Sequence, residues 1–449
     1  MTLSHGVTFG EAARVWARVA ALSFGGPAGQ IAVMHRIIVD EKRWIGEERF
    51  LHALSYCTLL PGPEAQQLAT YIGWLMHRTP GGLVAGGLFV LPGLLCIMAL
   101  SWIYVLFGNV PAIEGLFFGL KAAVLAIVVQ ALLRVARRAL ANTARYALAV
   151  AAFVALFVFD LPFPLVIVVA GLIGFLATAA GRPEFSGGGG GHGASAGAPE
   201  GHGLLGPEIP EHARDGNTLW VSLFWLAAWL IPVALVVRFS GQGTAFADIA
   251  VFFSKMAVVT FGGAYAVLAY VAQSAVESFH WLKPGEMLDG LAMAETTPGP
   301  LIMVLQFVGF LGAYRAPGAL PPLLAGTLGG LLTTWVTFAP CFLWIFAGAP
   351  WVEALRGNKR LSGALNGITA AVVGVIANLA VWFALHALFS RYVPLALGFM
   401  VPVPSSLNPA MAGLTALAFF LAFGRGLGMT WLLGACAACG IALRLLNLT

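Results

Sequence analysis

The chain has 449 residues, of which 59% are hydrophobic and only 10% are charged, and its mean hydropathy is +0.88. Soluble domains carry about a quarter charged residues, so this composition excludes a soluble protein and indicates a polytopic membrane protein. The formal net charge is +5, but the basic residues lie at the ends of apolar segments. That is the positive-inside pattern of membrane proteins and not a stripe that binds nucleic acid.

Apolar segments long enough to cross a bilayer recur along almost the whole chain. A spanning helix needs about 20 residues, and segments of this length include 83–107, 113–133, 219–237 and 323–347. They lack the alternating pattern of a membrane β-barrel, so helices are the remaining way to satisfy backbone polar groups in lipid. We therefore predict an all-α integral membrane protein, a polytopic helical bundle.

Two motifs near the start of the chain predict broken helices. They are Phe24-Gly25-Gly26-Pro27 and Pro61-Gly62-Pro63, and new helices should begin near Pro27 and Pro63 because proline is favourable in a first helical turn. The N–H groups and the positive dipole end at such a break can bind an anion. The alternative is that the glycines only allow close helix packing.

The path of the chain around Pro61-Gly62-Pro63 has two interpretations. If all basic loops of the first half face the cytoplasm, segment 50–74 enters and leaves on one side as a re-entrant hairpin. The alternative is a kinked helix that spans the membrane, because the positive-inside rule is a bias. The two interpretations differ in the accessibility of cysteines introduced at Met76 and Thr79. Labelling of these cysteines from outside the cell would exclude the hairpin.

Lys121 lies deep in an apolar segment, where an unpaired charge costs at least a few kcal/mol. We hypothesise that it neutralises the charge of the substrate, and the alternative is a lysine that snorkels to the interface.

A polar, Gly-rich segment over 181–217 divides the chain into two halves and has the composition of a flexible linker. It contains His192, His202 and His212, whose wide spacing does not favour a metal site. An apolar helix over 218–240 follows the linker. As one additional membrane crossing, it would invert the orientation of the second half relative to the first.

The two halves are internal repeats. A shift of 237 positions places the first motif on Phe261-Gly262-Gly263 and the second on Pro298-Gly299-Pro300, and an insertion of 11 residues then changes the shift to 248. The bias of Lys and Arg among the loops reverses between the halves, which predicts two inverted repeats, 1–180 and 241–449, as in many secondary transporters.

Polar residues beside the breaks are the candidate ligands of an anion. Glu64 follows its Pro-Gly-Pro motif and Glu295 precedes the other, and either could carry a proton, although Glu64 could equally cap a helix. The candidate substrate-binding residues are Phe24, Gly25, Gly26, Pro27, Gln30, Pro61, Gly62, Pro63, Gln66, Gln67, Lys121, Phe261, Gly262, Gly263, Tyr265, Thr296, Thr297, Pro298, Gly299 and Pro300.

No sequence signal points to an enzyme. There is no G-x-x-x-x-G-K-[ST], H-E-x-x-H or G-x-S-x-G sequence, so neither ATP hydrolysis nor a globular catalytic domain is expected. The five cysteines lie in apolar sequence and are interpreted as packing residues. We expect no cofactor and no resident metal, and an ion gradient as the energy source.

These motifs resemble those of the chromate ion transporter family in its long, two-domain form. The resemblance is carried by SFGGPAGQIAVMHR (23–36) and LLPGPEAQQLATYIGW (59–74), which TFGGAYAVLAYV (260–271) and TTPGPL (296–301) echo in the second half. It implies export of chromate from the cytoplasm, driven by the proton gradient, with chromate resistance as the outcome and sulfate as a structural mimic.

Other functions stay open at this point. A carrier of sulfate or another oxyanion would satisfy the same donors, a passive anion channel would need no gradient, and a membrane-embedded enzyme would need a cofactor or nucleophile that we do not find. The expected setting is the bacterial inner membrane, as a multi-pass protein. Its partners would be chromate, protons and the lipid bilayer, with no nucleic acid and with a homodimer left open.

Overall fold

The structure is a computed structural model that describes residues 6–24, 26–186, 203–204, 218–241, 243–261, 264–348, 359–394 and 400–448. Five of its helices are long and apolar enough to cross a membrane, namely Glu64–Phe107, Pro111–Ala139, Thr218–Ser240, Pro322–Gly348 and Lys359–Leu388. Shorter apolar helices accompany them. The predicted class, an all-α polytopic membrane protein, is confirmed.

The helices of the first half begin close to the N-terminus. They are α1 (Phe9–Leu22), α2 (Gly26–His35), α3 (Glu47–Leu59), α4 (Glu64–Phe107), α5 (Pro111–Ala139), α6 (Thr143–Phe157), α7 (Phe163–Ala179) and the one-turn α8 (Pro183–Ser186). A π-helical segment, Arg36–Glu41, continues α2.

The helices of the second half follow the linker. They are α9 (Thr218–Ser240), α10 (Ala245–Val259), α11 (Ala264–Gln273), α12 (Glu286–Thr296), α13 (Val304–Arg315), α14 (Pro322–Gly348), α15 (Lys359–Leu388), α16 (Pro409–Phe419) and α17 (Met429–Leu445). A π-helical segment, Ser274–Ser278, continues α11. A short antiparallel pair, β1 (Tyr392–Pro394) and β2 (Met400–Pro402), places Val393 opposite Val401.

Side-chain caps fix where several helices begin. Thr8 precedes α1 and its hydroxyl accepts a hydrogen bond from the Glu11 N–H at 3.2 Å, and Asn142 caps α6 in the same way through the Arg145 N–H at 3.0 Å. Thr244 caps α10. Such caps satisfy N–H groups that have no partner inside the helix.

Helix α4 is a hairpin of two arms and not one long rod. His77 and Arg78 have non-helical dihedral angles, and φ of Arg78 is +55°. A Cβ on Gly73 would lie 2.5 Å from the Gly81 carbonyl oxygen, so the two arms run side by side around the turn. Glycine permits this close approach of two helices.

Helices α13 and α14 form the equivalent hairpin in the second half. A Cβ on Gly309 would lie 3.2 Å from the Gly329 carbonyl oxygen, and Gly329 is equivalent to Gly81 under the shift of 248. The connection between the arms runs from Arg315 to Pro322. The insertion of 11 residues therefore falls in the region of this connection.

Local backbone conformation also repeats at the spacing of the sequence repeat. Arg43 and His280 both have positive φ, 51° and 53°, and Gly62 and Gly299 have φ of 122° and 105°. The two π-helical segments lie at equivalent positions as well. The inverted orientation of the two halves in the membrane stays a prediction.

The chain forms two compact units, each of which combines segments from both halves. Unit 1 contains the described residues of Met1–Met98, Gly190–Val267 and Thr297–Lys359. Unit 2 contains those of Ala99–Gly189, Leu268–Thr296 and Arg360–Thr449. The division into 1–180, a linker over 181–217, a helix over 218–240 and 241–449 describes the repeat in sequence and stays a prediction. Most of the linker, with its three histidines, lies outside the described residues.

Each unit has its own packed core. In unit 1, α9 packs against α14, where the Trp225 and Phe342 rings stack at 4.9 Å. In unit 2, α5 packs against α17 through glycines, since a Cβ on Gly119 would lie 2.0 Å from the Cys436 carbonyl oxygen. The five cysteines are all free, and three of them are buried.

Candidate functional site

The first Pro-Gly-Pro turn joins α3 to α4 in unit 1. Gly62 adopts φ of +122°, a conformation that glycine reaches without strain. Its N–H donates to the Thr260 carbonyl oxygen at 2.8 Å, and the Gln67 amide donates to the Pro61 carbonyl oxygen at 2.7 Å. The turn is therefore held by the backbone of the second half and by a side chain of its own helix.

The second turn is held in a matching way. The Gly299 N–H donates to the Ser23 carbonyl oxygen at 2.9 Å, and Ser23 is equivalent to Thr260. The Gln30 side chain, 1% exposed, donates to the Gly299 carbonyl oxygen at 2.7 Å. A short 3-10 turn, Leu301–Met303, follows before α13 begins.

These hydrogen bonds are reciprocal between the halves. Ser23 ends α1 and Thr260 ends α10, and each hydroxyl bonds back to its own helix at 2.7 and 2.5 Å. The backbone carbonyl of each then receives the glycine N–H of the opposite half. In this conformation the Gly62 and Gly299 amides donate to protein carbonyls. The prediction that helix ends at the breaks bind an anion therefore concerns other first-turn amides and stays a prediction.

Helix α2 begins at Gly26, directly within the first Phe-Gly-Gly-Pro motif. Gly26 has φ of +71°, and the position of a Cβ on it would be 3.8 Å from the Tyr265 hydroxyl. Phe24 is 39% exposed. Pro27 lies in the first turn, where its missing N–H costs no helical bond. Gly25, Gly262 and Gly263 lie outside the described residues.

Polar side chains of α4 surround the first turn. Glu64 is the first residue of the helix and is half-buried, while Gln66 and Gln67 are fully buried. The Gln66 amide donates to the Thr70 hydroxyl at 3.0 Å, in the space that Gly86 leaves open. The Oε1 atoms of Gln66 and Gln67 are buried and accept no hydrogen bond from the residues that the structure describes.

The candidate residues of unit 2 are described separately. Glu295 is 2% exposed near the end of α12, and the Thr296 hydroxyl donates to the carbonyl oxygens of Ala292 and Met293. Lys121 is paired, since its Nζ is 3.3 Å from Oδ2 of Asp289.

Asp289 is the residue that sequence reasoning missed as a partner of Lys121. The structure places it in α12 with its side chain 4% exposed. Charges inside a membrane protein tend to pair. The sequence signal that could have identified Asp289 is therefore a carboxylate among apolar residues, together with a lysine deep in another apolar segment.

Other candidates are packed into the core of unit 1. Thr297 is buried, Phe261 is half-buried, and Pro298 and Pro300 flank Gly299. A Cβ on Gly93 would lie 3.1 Å from the Pro298 carbonyl oxygen, so the return arm of α4 passes directly beside the second turn. Within the described ranges, no group of three or more His, Cys, Asp or Glu residues is placed to hold a metal ion.

This arrangement can bind an anion through helix ends and side chains and can carry protons on carboxyl groups. In unit 1, the first-turn amides of α2 and α4 have no partner inside their helices, and the positive ends of the two helix dipoles favour negative charge. Glu64 is the carboxyl group at the start of α4.

Comparison with known proteins gives consistent matches. A family model described as "Chromate transporter" matches residues 10–175 and 247–441. A chromate transport protein of Pseudomonas aeruginosa is 32% identical over 79% of this chain and 76% of its own length. One of Cupriavidus metallidurans is 27% identical over 86% and 84%, and an uncharacterized transporter of Methanocaldococcus jannaschii is 23% identical over 82% of each chain. No solved structure matches the chain.

Proposed function

Because the chain belongs to the chromate transporter family, we propose that it exports chromate from the cytoplasm as a secondary active transporter driven by the proton gradient. It is a multi-pass membrane transport protein and not an enzyme. The proposal places it in the bacterial inner membrane, where the proton gradient is maintained. Chromate resistance of the cell is the expected outcome.

The observation that carries this proposal is the family match over both halves. The reciprocal hydrogen bonds of the two Pro-Gly-Pro turns support it, because each turn depends on the half to which it does not belong. Transporters with repeated halves commonly bind substrate at broken helices where the repeats meet.

We propose that chromate is bound in unit 1 around the first turn. The start of α2 at Gly26 and the start of α4 at Glu64 provide helix N-termini, and the Tyr265 hydroxyl lies beside Gly26. Gln66 and Gln67 are buried amides whose nitrogens each donate one hydrogen bond within the protein, and each has a second N–H that can face the anion. The Gly62 and Gly299 amides support the turns and are not proposed as donors in this conformation.

Gln30, which the sequence places among the ligands, has a positioning role in this proposal. Its amide holds the Gly299 carbonyl oxygen at 2.7 Å, so it fixes the second turn and acts on the substrate only through that turn. The proposal that Lys121 neutralises substrate charge now requires that it leave Asp289, since the pair is neutral while both groups are charged.

Glu64 and Glu295 are the proposed proton carriers. Glu64 is half-buried at the start of α4, and Glu295 is buried in α12. A carboxyl group at membrane depth is a functional candidate because its charged form is costly there.

Sulfate or another oxyanion is the second candidate substrate. It would satisfy the same N–H donors, since tetrahedral dianions share charge and shape. The relatives named as chromate transport proteins favour chromate.

The test is the flux of radiolabelled chromate into proteoliposomes that hold the purified protein, with and without an imposed pH gradient. We expect faster flux with the gradient and partial inhibition by excess sulfate. Gradient-independent chromate flux would contradict proton coupling. Absence of chromate flux, with sulfate moving instead, would overturn the substrate.

A further inference from the structure

A buried carboxyl group lies in unit 2, outside the motifs. Asp289 of α12 has a side chain that is 4% exposed, and its Oδ2 is 3.3 Å from Nζ of Lys121. The same oxygen accepts a hydrogen bond from the Tyr104 hydroxyl at 3.0 Å. Its Oδ1 is buried and accepts no hydrogen bond from the part of the chain that the structure describes. Among the described residues, one carboxyl oxygen therefore has two partners and the other has none.

This asymmetry suits a group that gains and loses a proton. A charged carboxylate oxygen without a donor is costly in a buried place. When the group is protonated, Oδ1 can carry the hydrogen as a neutral hydroxyl, and the missing donor costs much less. When the group is ionised, Lys121 and Tyr104 stabilise the charge on Oδ2. Both protonation states thus have a plausible set of contacts.

We propose that Asp289 is a further proton-binding site of the transport cycle and that Lys121 and Tyr104 are positioning residues for it. The carboxylate takes up one proton from water to become the neutral acid, and it later releases that proton to water, which restores the carboxylate; no other bond is made or broken. This inference rests on the proposed proton coupling and adds a site that is separate from Glu64 and Glu295.

The groups around Asp289 come from three helices. Lys121 lies on α5, Tyr104 on α4 and Glu286 one turn earlier on α12. The Glu286 Oε2 accepts a hydrogen bond at 2.7 Å from the N–H of Lys283, which lies just before the helix. A Cβ on Gly285 would lie 3.1 Å from the Lys121 Nζ, which means that glycine leaves room for the ammonium group. Lys121 is the cation that pairs with Asp289 in the structure.

The cluster occurs in one repeat only. The position equivalent to Asp289 is His52, and the position equivalent to Lys121 is Thr369. Contacts that the shared fold needs recur in both halves, as the glycine hydrogen bonds of the two turns do. The fold that the two repeats share therefore does not require this buried ion pair.

The experiment compares wild-type protein with Asp289→Asn in proteoliposomes. Radiolabelled chromate exchange without a gradient and chromate flux with a pH gradient of either sign are both measured. Asparagine resembles the neutral acid, so we expect exchange to continue while the acceleration by the gradient is lost. Retained acceleration in Asp289→Asn would overturn the inference.

Matched variants separate a transport role from a structural one. Glu114→Gln removes a carboxylate from an ion pair of the same unit, with Arg444 at 2.6 Å, and should keep the acceleration. Lys121→Gln leaves the buried Asp289 carboxylate without its cation. The amount of folded protein in the membrane should therefore be lower for this variant than for the double variant Lys121→Gln with Asp289→Asn, in which neither charge remains. Loss of gradient-free exchange in Asp289→Asn protein that folds and reaches the membrane normally would also overturn the inference.

The outcomes for wild-type protein keep the two proposals apart. No chromate flux in wild type would refute the proposed substrate, and flux that ignores the gradient would refute proton coupling. Only gradient-dependent wild-type flux, together with unchanged gradient dependence in Asp289→Asn, refutes the role of Asp289 alone.

Discussion

The two Pro-Gly-Pro turns share a backbone but differ in chemistry. Gly62 and Gly299 both have positive φ and both donate to the carbonyl that ends α10 or α1 of the opposite half. The polar residues that follow the first turn are Glu64, Gln66, Gln67 and Thr70, whereas the equivalent positions of the second turn hold Leu301, Met303, Val304 and Phe307. The duplicated backbone maintains the fold, and one copy carries the polar chemistry.

The second turn also depends on the first half for its extra hydrogen bond. Gln30 holds the Gly299 carbonyl oxygen, while the residue equivalent to Gln30 is Val267. Opposite the turns, Cys341 lies beside Gly62, and its equivalent Gly93 lies beside Gly299. A repeat can thus diverge in side chains while its backbone contacts persist.

The largest effect is expected from Gly299→Ala. A Cβ there would lie 2.9 Å from backbone atoms of Gly93, which cannot move aside, and alanine is strained at φ of +105°. The loss of stability should be about 2 to 6 kcal/mol, the sum of strain and overpacking. Thermal unfolding in detergent, together with chromate flux, measures it.

Gly62→Ala is the paired comparison. Its Cβ would meet the ends of the Cys341 and Gln67 side chains at 2.9 Å, and these can rotate away, so the loss should be smaller. Gly87→Ala is the control, because no atom lies within 4 Å of its Cβ position. Equal losses of stability in Gly62→Ala and Gly299→Ala would contradict the proposed difference in packing between the two turns.

A medium effect is expected from Gln30→Met, which keeps size but removes the donor to Gly299. A buried carbonyl left without a partner costs about 1 to 3 kcal/mol, and flux should fall more than stability alone explains. Gln130→Met is the control, since the Gln130 amide donates to the Ala422 carbonyl oxygen in unit 2 at 3.2 Å. Equal flux of the two variants, at equal stability, would refute the positioning role of Gln30.

The smallest effect is expected from Cys341→Ala. The thiol is buried beside Gly62, and removing it leaves a small cavity that costs about 1 kcal/mol. Chromate flux should stay near that of wild type, because the turn keeps its hydrogen bonds to Thr260 and Gln67. Abolished flux would show instead that the thiol takes part in transport.

The sequence predicts the fold class, which the structure confirms. Apolar length identifies the spanning helices, α2 begins at Gly26 and α4 at Glu64, close to the expected starts at Pro27 and Pro63. The family resemblance, which depends on long motifs in both halves, is confirmed by the family match. These features depend on residues that are close together in the sequence, so the sequence alone reveals them.

The remaining features depend on contacts between distant segments. The pairing of Gly62 with Thr260 and of Lys121 with Asp289 joins residues far apart in the chain, which periodicity and composition cannot locate. The turn at His77 and Arg78 is followed closely by Pro80, Gly81 and Gly82, so a break between two segments can be read from the sequence. The close packing of the two arms against each other cannot. Whether the first Pro-Gly-Pro segment re-enters or spans the membrane stays a prediction.

The central claim is that the first turn carries the chemistry of chromate transport. The most direct test is the initial rate of gradient-driven chromate flux in proteoliposomes for Glu64→Leu, which imports the residue of the second turn, against Leu301→Met as control. The account predicts that Glu64→Leu loses this flux and that Leu301→Met keeps it. Wild-type flux in a folded Glu64→Leu protein would contradict the claim.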